Sequence, residues 1–327
     1  MNYNKAKIEF ERLFSNKMSE DEARSFLIEL YNRGENIEEI TAAADVMKSH
    51  AIKLELEPLL KEKLIDIVGT GGDKSGSFNI SSTSAILLTS LECFVAKHGN
   101  RSITSKSGSA DVLDALGVNL NLTVEQQTKM LKECGFTFLF AQNHHPAMKH
   151  IMPIRKSISH RTIFNILGPL TNPADVKKYF IGVYEKSFVE KMAHVLKNSK
   201  AKSAMVVSSA DGLDELSLGA PSFVSRLKDD KIELFELDPQ SLGFKKASLN
   251  EIKGGEAKEN ALITRAILSG SERGAKRDIV ILNSAASLVV YGKARDFKEG
   301  IDMANEAIDS KKAINALEKI IKVSNSL

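Results

Sequence analysis

Apolar positions in the first sixty residues recur at helical spacing. Tyr3, Ala6, Phe10, Leu13 and Phe14 fall on one face, as a period of about 3.6 residues requires. Ser19 and Glu22 have capping-box spacing ahead of Ala23, Phe26, Leu27, Leu30 and Tyr31, and Gly34 closes that segment. Asn36 and Glu39 open a third, with Ile37, Ile40, Ala44, Met47 and Ala51 turned inward. Pro58 interrupts the pattern. Amphipathic helices with little else in so short a segment make a small packed domain or a subunit interface.

The period then changes. Residues 64–68 read as a strand that runs into glycines, and 79–91 as a helix. A second strand is expected at 93–96, helices at 109–116 and 123–134, and a strand at 136–141. Further strands fall at 179–184 and 204–207. Segments 224–227 and 232–237 flank Asp229-Asp230-Lys231 in the manner of a hairpin, and the tail from Asn260 reads as helical. Strands separated by helices imply a buried, largely parallel sheet flanked by helices. The expected fold is α/β, with a small N-terminal helical domain over 1–63 and a larger α/β domain over 64–327.

Composition narrows the function. With 327 residues, 43% of them apolar, the chain can bury a large core. A net charge of +3 provides no global field to recruit nucleic acid or a membrane. The N-terminus lacks the apolar stretch of a signal peptide, and no apolar run approaches the ~20 residues that span a bilayer. Cys93 and Cys134 have neither metal-ligand spacing nor a disulfide framework, which suits a reducing cytoplasm.

Chemistry concentrates in four places. Gly69-Thr70-Gly71-Gly72-Asp73, with Ser75, Ser77, Asn79 and Ser81 through Ser84, sits where a strand meets a helix. Glycines there let backbone N–H groups approach an anion, and the helix start adds unpaired donors. A Walker loop is excluded, because Asp73 stands where glycine must precede Lys74; the dinucleotide fingerprint, counted from Gly69, fails at Lys74. Lys97-His98-Gly99-Asn100-Arg101, followed by Ser102, Thr104, Ser105, Lys106 and Ser109, follows a second strand. In a parallel sheet the two loops share one edge, where Lys97, Arg101 and Lys106 could balance a polyanion; alone, the stretch also suits a solvated basic loop. Asp211-Gly212-Leu213-Asp214-Glu215 offers adjacent carboxylates, which repel unless a cation separates them; alone they also suit an acidic helix start. The fourth stretch runs from Phe138 to Lys149 and on through Arg155, Arg161 and 162–173. It offers an apolar wall with an arginine, a seat for a flat acid, although a helix packed on the sheet also accounts for most of these residues.

Together these stretches resemble anthranilate phosphoribosyltransferase, an enzyme family of tryptophan biosynthesis. The carriers are GTGGD at 69–73, NISS at 79–82, KHGNR at 97–101, SGSAD at 107–111, HPAMK at 145–149, RTIFNILGPLTNPA at 161–174 and DGLDE at 211–215. The resemblance implies a helical domain joined to an α/β domain, and a homodimer formed through the helical part. It implies that Gly69, Gly72, Asp73, Ser77, Asn79, Ile80, Ser81 and Ser82 bind phosphoribosyl pyrophosphate. Lys97, His98, Gly99, Asn100, Arg101, Ser102, Ile103, Thr104, Ser105 and Ser109 would form the second wall. Ser81, Asp214 and Glu215 would be Mg²⁺ ligands, and Asn100, Arg155 and Gly69 anthranilate contacts. No residue is assigned as acid or base, since an aniline nitrogen attacks neutral. Three features depart from the family pattern: Ser208-Ser209-Ala210 before the acidic motif, Gln142 in place of a common proline, and Ser157-Ile158-Ser159 in place of Glu-Leu-Gly. Alternatives of other classes are a pyrimidine nucleoside phosphorylase of the same fold, a nucleic-acid-binding relative and a purely structural dimer.

Overall fold

A computed structural model describes residues 1–102 and 106–327. Three helices open the chain: α1 (Tyr3–Phe14), α2 (Glu20–Arg33) and α3 (Ile37–Ser49). Asn36 and Glu39 form a reciprocal capping box. The Ser19 hydroxyl likewise accepts from Glu22 N at 3.2 Å. The Glu22 carboxylate, however, goes to Arg12 at 2.5 Å, an ion pair across helices that spacing alone does not reveal. A short α4 (Pro58–Lys61) leads into the sheet.

The sheet has seven strands: β1 (Leu64–Gly69), β2 (Phe94–Gly99), β3 (Phe136–Phe140), β4 (Lys178–Gly182), β5 (Ser203–Ser209), β6 (Ser222–Lys228) and β7 (Lys231–Leu237). Their order is β3-β2-β1-β4-β5-β6-β7. The first five are parallel, and β6 and β7 add an antiparallel hairpin. The chain winds outward from β1 through β2 to β3, then returns to lay β4 on the other side of β1. That reversal makes a crevice at the carboxyl ends of β1 and β4.

Side chains alternate between two buried clusters. Ile65, Ile67, Phe180 and Val207 meet α5 (Ile80–Ser90), α6 (Ser109–Ala115), α7 (Val124–Cys134) and, later in the chain, α12 (Ala257–Leu268), α13 (Ala275–Tyr291), α14 (Phe297–Asp309) and α15 (Lys312–Ser326). Leu64, Ala96, Ile181 and Val206 meet α1–α3, α9 (Met148–Lys156), α10 (Phe164–Leu167) and α11 (Ser187–Asn198). A one-turn α8 (Ala141–His144) follows β3 directly.

The second strand extends past its expected end: Lys97, His98 and Gly99 belong to β2 rather than to the loop after it. Charged residues disguise a buried strand, and the protein tolerates them because Lys97 and His98 each find hydrogen-bond partners. Cys93 and Cys134 are both buried and free, and burial pushes the Cys93 thiol up to about 12. Among the described residues no helix is long and apolar enough to cross a membrane.

Candidate active site

Three loops meet at the crevice. The first leaves β1 at Gly69. Gly71 and Gly72 have φ of +69° and +77°, the left-handed region that glycine enters freely. Thr70 N donates to Gly182 O at 2.9 Å, and Arg161 Nη2 donates to Gly72 O at 2.5 Å. The loop ends at α5, whose first turn receives no side-chain cap. Ile80 N turns back to Phe78 O at 2.8 Å and the Ser81 backbone faces Glu215, so the positive end of the helix dipole points at the acidic loop.

The acidic loop after β5 crosses over the first. Asp214 Oδ2 accepts from Gly71 N at 2.6 Å. Behind it, Asn283 of α13 holds both the N–H and the carbonyl of Leu216 at 2.9 Å. Asp211 is consumed within the turn, accepting from Ser217 Oγ at 2.6 Å. Asp214 and Glu215 are only 8% and 7% exposed. Burial, then the charges of Asp73 and Glu215, hold the Asp214 carboxyl well above its ordinary range. Burial lifts Glu215 to about 8, although Lys97 pulls against it. Such crowded carboxylates ionise at neutral pH when a cation joins them.

Lys97 reaches in from β2, almost wholly buried. Its Nζ donates to Ile67 O at 2.5 Å and to Ser81 Oγ at 3.2 Å. Burial lowers its pKa, opposed by Asp66 and Glu215. Ser81, Lys97 and Glu215 therefore share one neighbourhood. Asp66 lies beneath, accepting from His98 N at 3.1 Å and from Asn172 Nδ2 at 2.8 Å. Burial pushes its carboxyl up to about 6.

Strand alternation sends His98 to the opposite face from Lys97. Its Nδ1 lies 3.1 Å from Gly168 O, and its ring is 5.1 Å from that of His145. Burial, then His145, depress its pKa well below the usual imidazole range. His98 thus packs against the wall built by 141–173, away from the acidic cluster.

In the loop after β2, Asp111 of α6 gathers the chain. It accepts from Arg101 Nη1 at 2.8 Å, Ser102 N at 2.9 Å and Gly108 N at 2.9 Å. Arg101 also pairs with Asp114 at 3.3 Å, so two carboxylates of α6 face its guanidinium. A Cβ on Gly99 would lie 2.1 Å from Ser109 Oγ, which fixes glycine where the strand turns. Gln142, one of the departures noted above, reaches Asn100 Oδ1 at 3.5 Å. Ile103, Thr104 and Ser105 lie outside the described residues.

Arg155 sits on α9 with its guanidinium 5.1 Å from the Phe164 ring centre. Burial pulls it down to about 10, still cationic at neutral pH. Among the described residues no carboxylate pairs with it; its Nη1 instead lies 3.5 Å from Met152 Sδ. A half-buried cation without a counter-charge suits an incoming anion.

Gly182 carries no signal in the sequence that marks it out, and Arg161, noted there only as part of the apolar stretch, has a role that spacing does not show. Arg161 lies 3.6 Å from the Tyr184 ring centre while it holds Gly72 O. Gly182 underlies the acidic loop. Beyond Arg161 a cavity of about 460 Å³ opens between α2 and α11, lined by Tyr31, Glu35, Thr162, Tyr184 and Lys191 among others. Apart from Arg161, it shares no residue with the acidic or glycine clusters. The position of the polar groups, rather than the size of that hollow, marks the site.

The donor set fits Mg²⁺. Among the described residues no three His, Cys, Asp or Glu side chains converge as a metal site. Two carboxylates beside a hydroxyl nevertheless match an ion that shares its coordination with phosphates and water.

A glycine-rich strand end, a helix start and an acidic crossover at a topological switch point suit a transferase that acts on a phosphorylated sugar. The family model described as "Glycosyl transferase family, a/b domain" matches residues 61–314. Anthranilate phosphoribosyltransferase of Methanobrevibacter smithii is 47% identical over 316 residues, which cover 97% of this chain and 93% of that one. Its Petrotoga mobilis counterpart is 46% identical, covering 97% and 91%. The crystal structure of anthranilate phosphoribosyltransferase from Thermus thermophilus superposes with a TM-score of 0.93 at 38% identity, covering 99% and 96%. The Saccharomyces cerevisiae enzyme in complex with PRPP and Mg gives 0.87 at 29% identity, covering 97% and 91%. The chain belongs to the anthranilate phosphoribosyltransferase family.

Proposed function

We propose that this chain transfers the 5-phosphoribosyl group of phosphoribosyl pyrophosphate to the amine of anthranilate, giving N-(5-phosphoribosyl)anthranilate and pyrophosphate in tryptophan biosynthesis. The observation that carries the reading is Asp214 and Glu215, nearly buried and laid over the glycine loop beside Lys97 and Ser81.

The loop from Gly69 to Ser82, with its glycines and hydroxyls at the positive end of α5, would cradle the donor phosphates. Asp214, Glu215 and the Ser81 hydroxyl would hold Mg²⁺, which when bound balances pyrophosphate charge. Lys97, its Nζ held by Ile67 O and Ser81 Oγ, would add a hydrogen-bond donor beneath the leaving group in a dry setting where such contacts act strongly. Arg155 would grip the anthranilate carboxylate, and Asn100 would orient the ring so that its amine faces ribose C1. The aniline nitrogen is uncharged at neutral pH, so positioning suffices and no side chain need remove a proton before attack.

We read residues 1–63 as the helical domain and homodimer interface. Supporting this, Ile8, Tyr31, Ile52 and Leu59 expose large apolar side chains there. A biosynthetic enzyme of this kind works in the cytoplasm. The direct test is anthranilate fluorescence followed with and without the donor and Mg²⁺. Consumption that requires both supports the reading, and none under any condition refutes it.

A further inference from the structure

The donor site is braced from a part of the chain far away in sequence. Residues 252–255 run alongside the glycine loop. Phe78 N donates to Ile252 O at 3.2 Å, Gly254 N donates to Gly76 O at 2.9 Å, and Ser77 pairs with Lys253 in an antiparallel bridge. A Cβ on Gly254 would lie 2.6 Å from Phe78 Cα, so the segment fits there only as glycine. It then enters α12, whose first turn carries Asn260, 2% exposed.

Asn260 has both ends of its amide committed. Its Oδ1 accepts from Gly255 N at 2.8 Å, and its Nδ2 donates to Asn79 Oδ1 at 2.9 Å. A backbone N–H can only donate, which fixes the amide's orientation. Asn79 Oδ1 also accepts from Ser107 Oγ at 3.1 Å, and Asn79 Nδ2 donates to Ser107 O at 3.2 Å. Asn79 closes the loop after β1, and Ser107 lies in the loop after β2. The Asn79 side chain does not cap α5; it is spent on joining the two loops.

We propose that Asn260 is a positioning residue for the donor site, holding Asn79 in the orientation that locks the two phosphate-facing loops together. The proposal rests on the donor reading above. It assigns the Asn79 side chain to the brace between the loops rather than to the donor. Only a group with one donor and one acceptor at this spacing serves. A carboxylate at 260 still accepts from Gly255 but turns a second oxygen on Asn79 Oδ1.

Asn260→Ala and Asn260→Asp test it, with Thr264→Val as control. Thr264 sits one turn along α12, and its hydroxyl bonds Thr83 on α5 at 2.9 Å, so its loss weakens the same helix contact while leaving the Asn79 side chain and the Thr83 bond to Asn79 O in place. Binding of phosphoribosyl pyrophosphate with Mg²⁺ is measured by titration calorimetry, and KM for each substrate by anthranilate fluorescence. The expected result is a Kd and KM for the donor raised about tenfold or more in both Asn260 variants, with Asp the worse. KM for anthranilate should stay within about twofold, and Thr264→Val should leave both constants within the same margin. Should Asn260→Ala fail to fold, Asn260→Ser, which can still accept from Gly255, takes its place.

Donor binding within about twofold of wild type in both variants overturns the proposal. So does an equal rise in both KM values matched by Thr264→Val, because that would be loss of stability alone. A wild type that neither binds the donor nor consumes anthranilate would instead sink the functional reading beneath it, and the proposal with it.

Discussion

Gly69 and Gly182 stand opposite each other in the register of β1 and β4, and the acidic loop crosses both. A Cβ on Gly182 would lie 1.6 Å from the Asp214 carbonyl oxygen; one on Gly69 would lie 2.6 Å from Asp214 Oδ2. Bare strand ends let Asp214 descend to bond Gly71 N. The two clashes differ in kind: one meets rigid backbone, the other the tip of a side chain.

Gly182→Ala is therefore expected to lift the acidic loop, with a stability loss of about 1–3 kcal/mol and a fall in kcat/KM of roughly a hundredfold. Gly69→Ala should keep more stability, since a carboxylate rotates more cheaply than a backbone moves, while still weakening Mg²⁺ dependence. Thermal melts and steady-state kinetics on both variants decide this. Equal melting temperatures in Gly182→Ala and wild type would mean the loop is not held where the structure has it.

Much of this site is legible in the sequence, and the exceptions have physical causes. GTGGD and DGLDE announce themselves because each is a local run of residues with strong backbone or charge consequences. Asn36 and Glu39 signal their helix because capping is decided within one turn. Gly182 gives no signal, because its need for hydrogen depends on a loop thirty residues on. Lys97 and His98 conceal the length of β2, since charge argues against a buried strand until Ile67 O, Ser81 and Gly168 are seen to receive them. Arg101 looks free because its partners, Asp111 and Asp114, lie in a helix beyond a loop. Asn260 reaches Asn79 across 181 positions, and spacing says nothing at that range.

Asp214→Asn combined with Glu215→Gln should leave the protein folded and strongly reduce turnover. Burial and mutual repulsion already disfavour the two charges, so removing them in metal-free protein should not lower the melting temperature. The double substitution removes an interaction made to the departing pyrophosphate, so kcat and kcat/KM should fall together. Activity within about threefold of wild type at limiting Mg²⁺, under ~0.7 kcal/mol, would argue that the metal sits elsewhere.

The pH dependence of the loop after β2 follows from Asp111. Burial alone would raise its carboxyl, but the N–H groups of Ser102 and Gly108 and the Arg101 guanidinium outweigh it and lower the pKa. A lowered carboxyl contributes stability that is full above its unfolded value of about 3.9 and fades as pH falls through the lower folded value. Asp111→Asn should therefore melt below wild type at pH 7, and the gap should narrow once the pH falls below about 3.9. A gap that stays constant as the pH falls below that value would mean the contribution is packing rather than charge.

Arg155 gives the sharpest test of the acceptor. An arginine on a surface usually finds a carboxylate, and such pairs are worth at most about 1 kcal/mol. Arg155 has none among the described residues, and burial alone displaces its pKa to about 10. Its charge is thus held at a cost that a bound carboxylate would offset. Two consequences follow from one substitution. Arg155→Ala should not lower the melting temperature of the free protein, since no ion pair is broken. It should raise KM for anthranilate roughly tenfold or more, the loss of a charge-assisted contact of ~1.5–3 kcal/mol, while KM for the donor barely moves. Aniline, which lacks the carboxylate, supplies the control. Wild type should use it poorly, and the variant should lose nothing further on it. A variant that weakens both acceptors equally would show that Arg155 shapes the slot rather than reads the carboxylate.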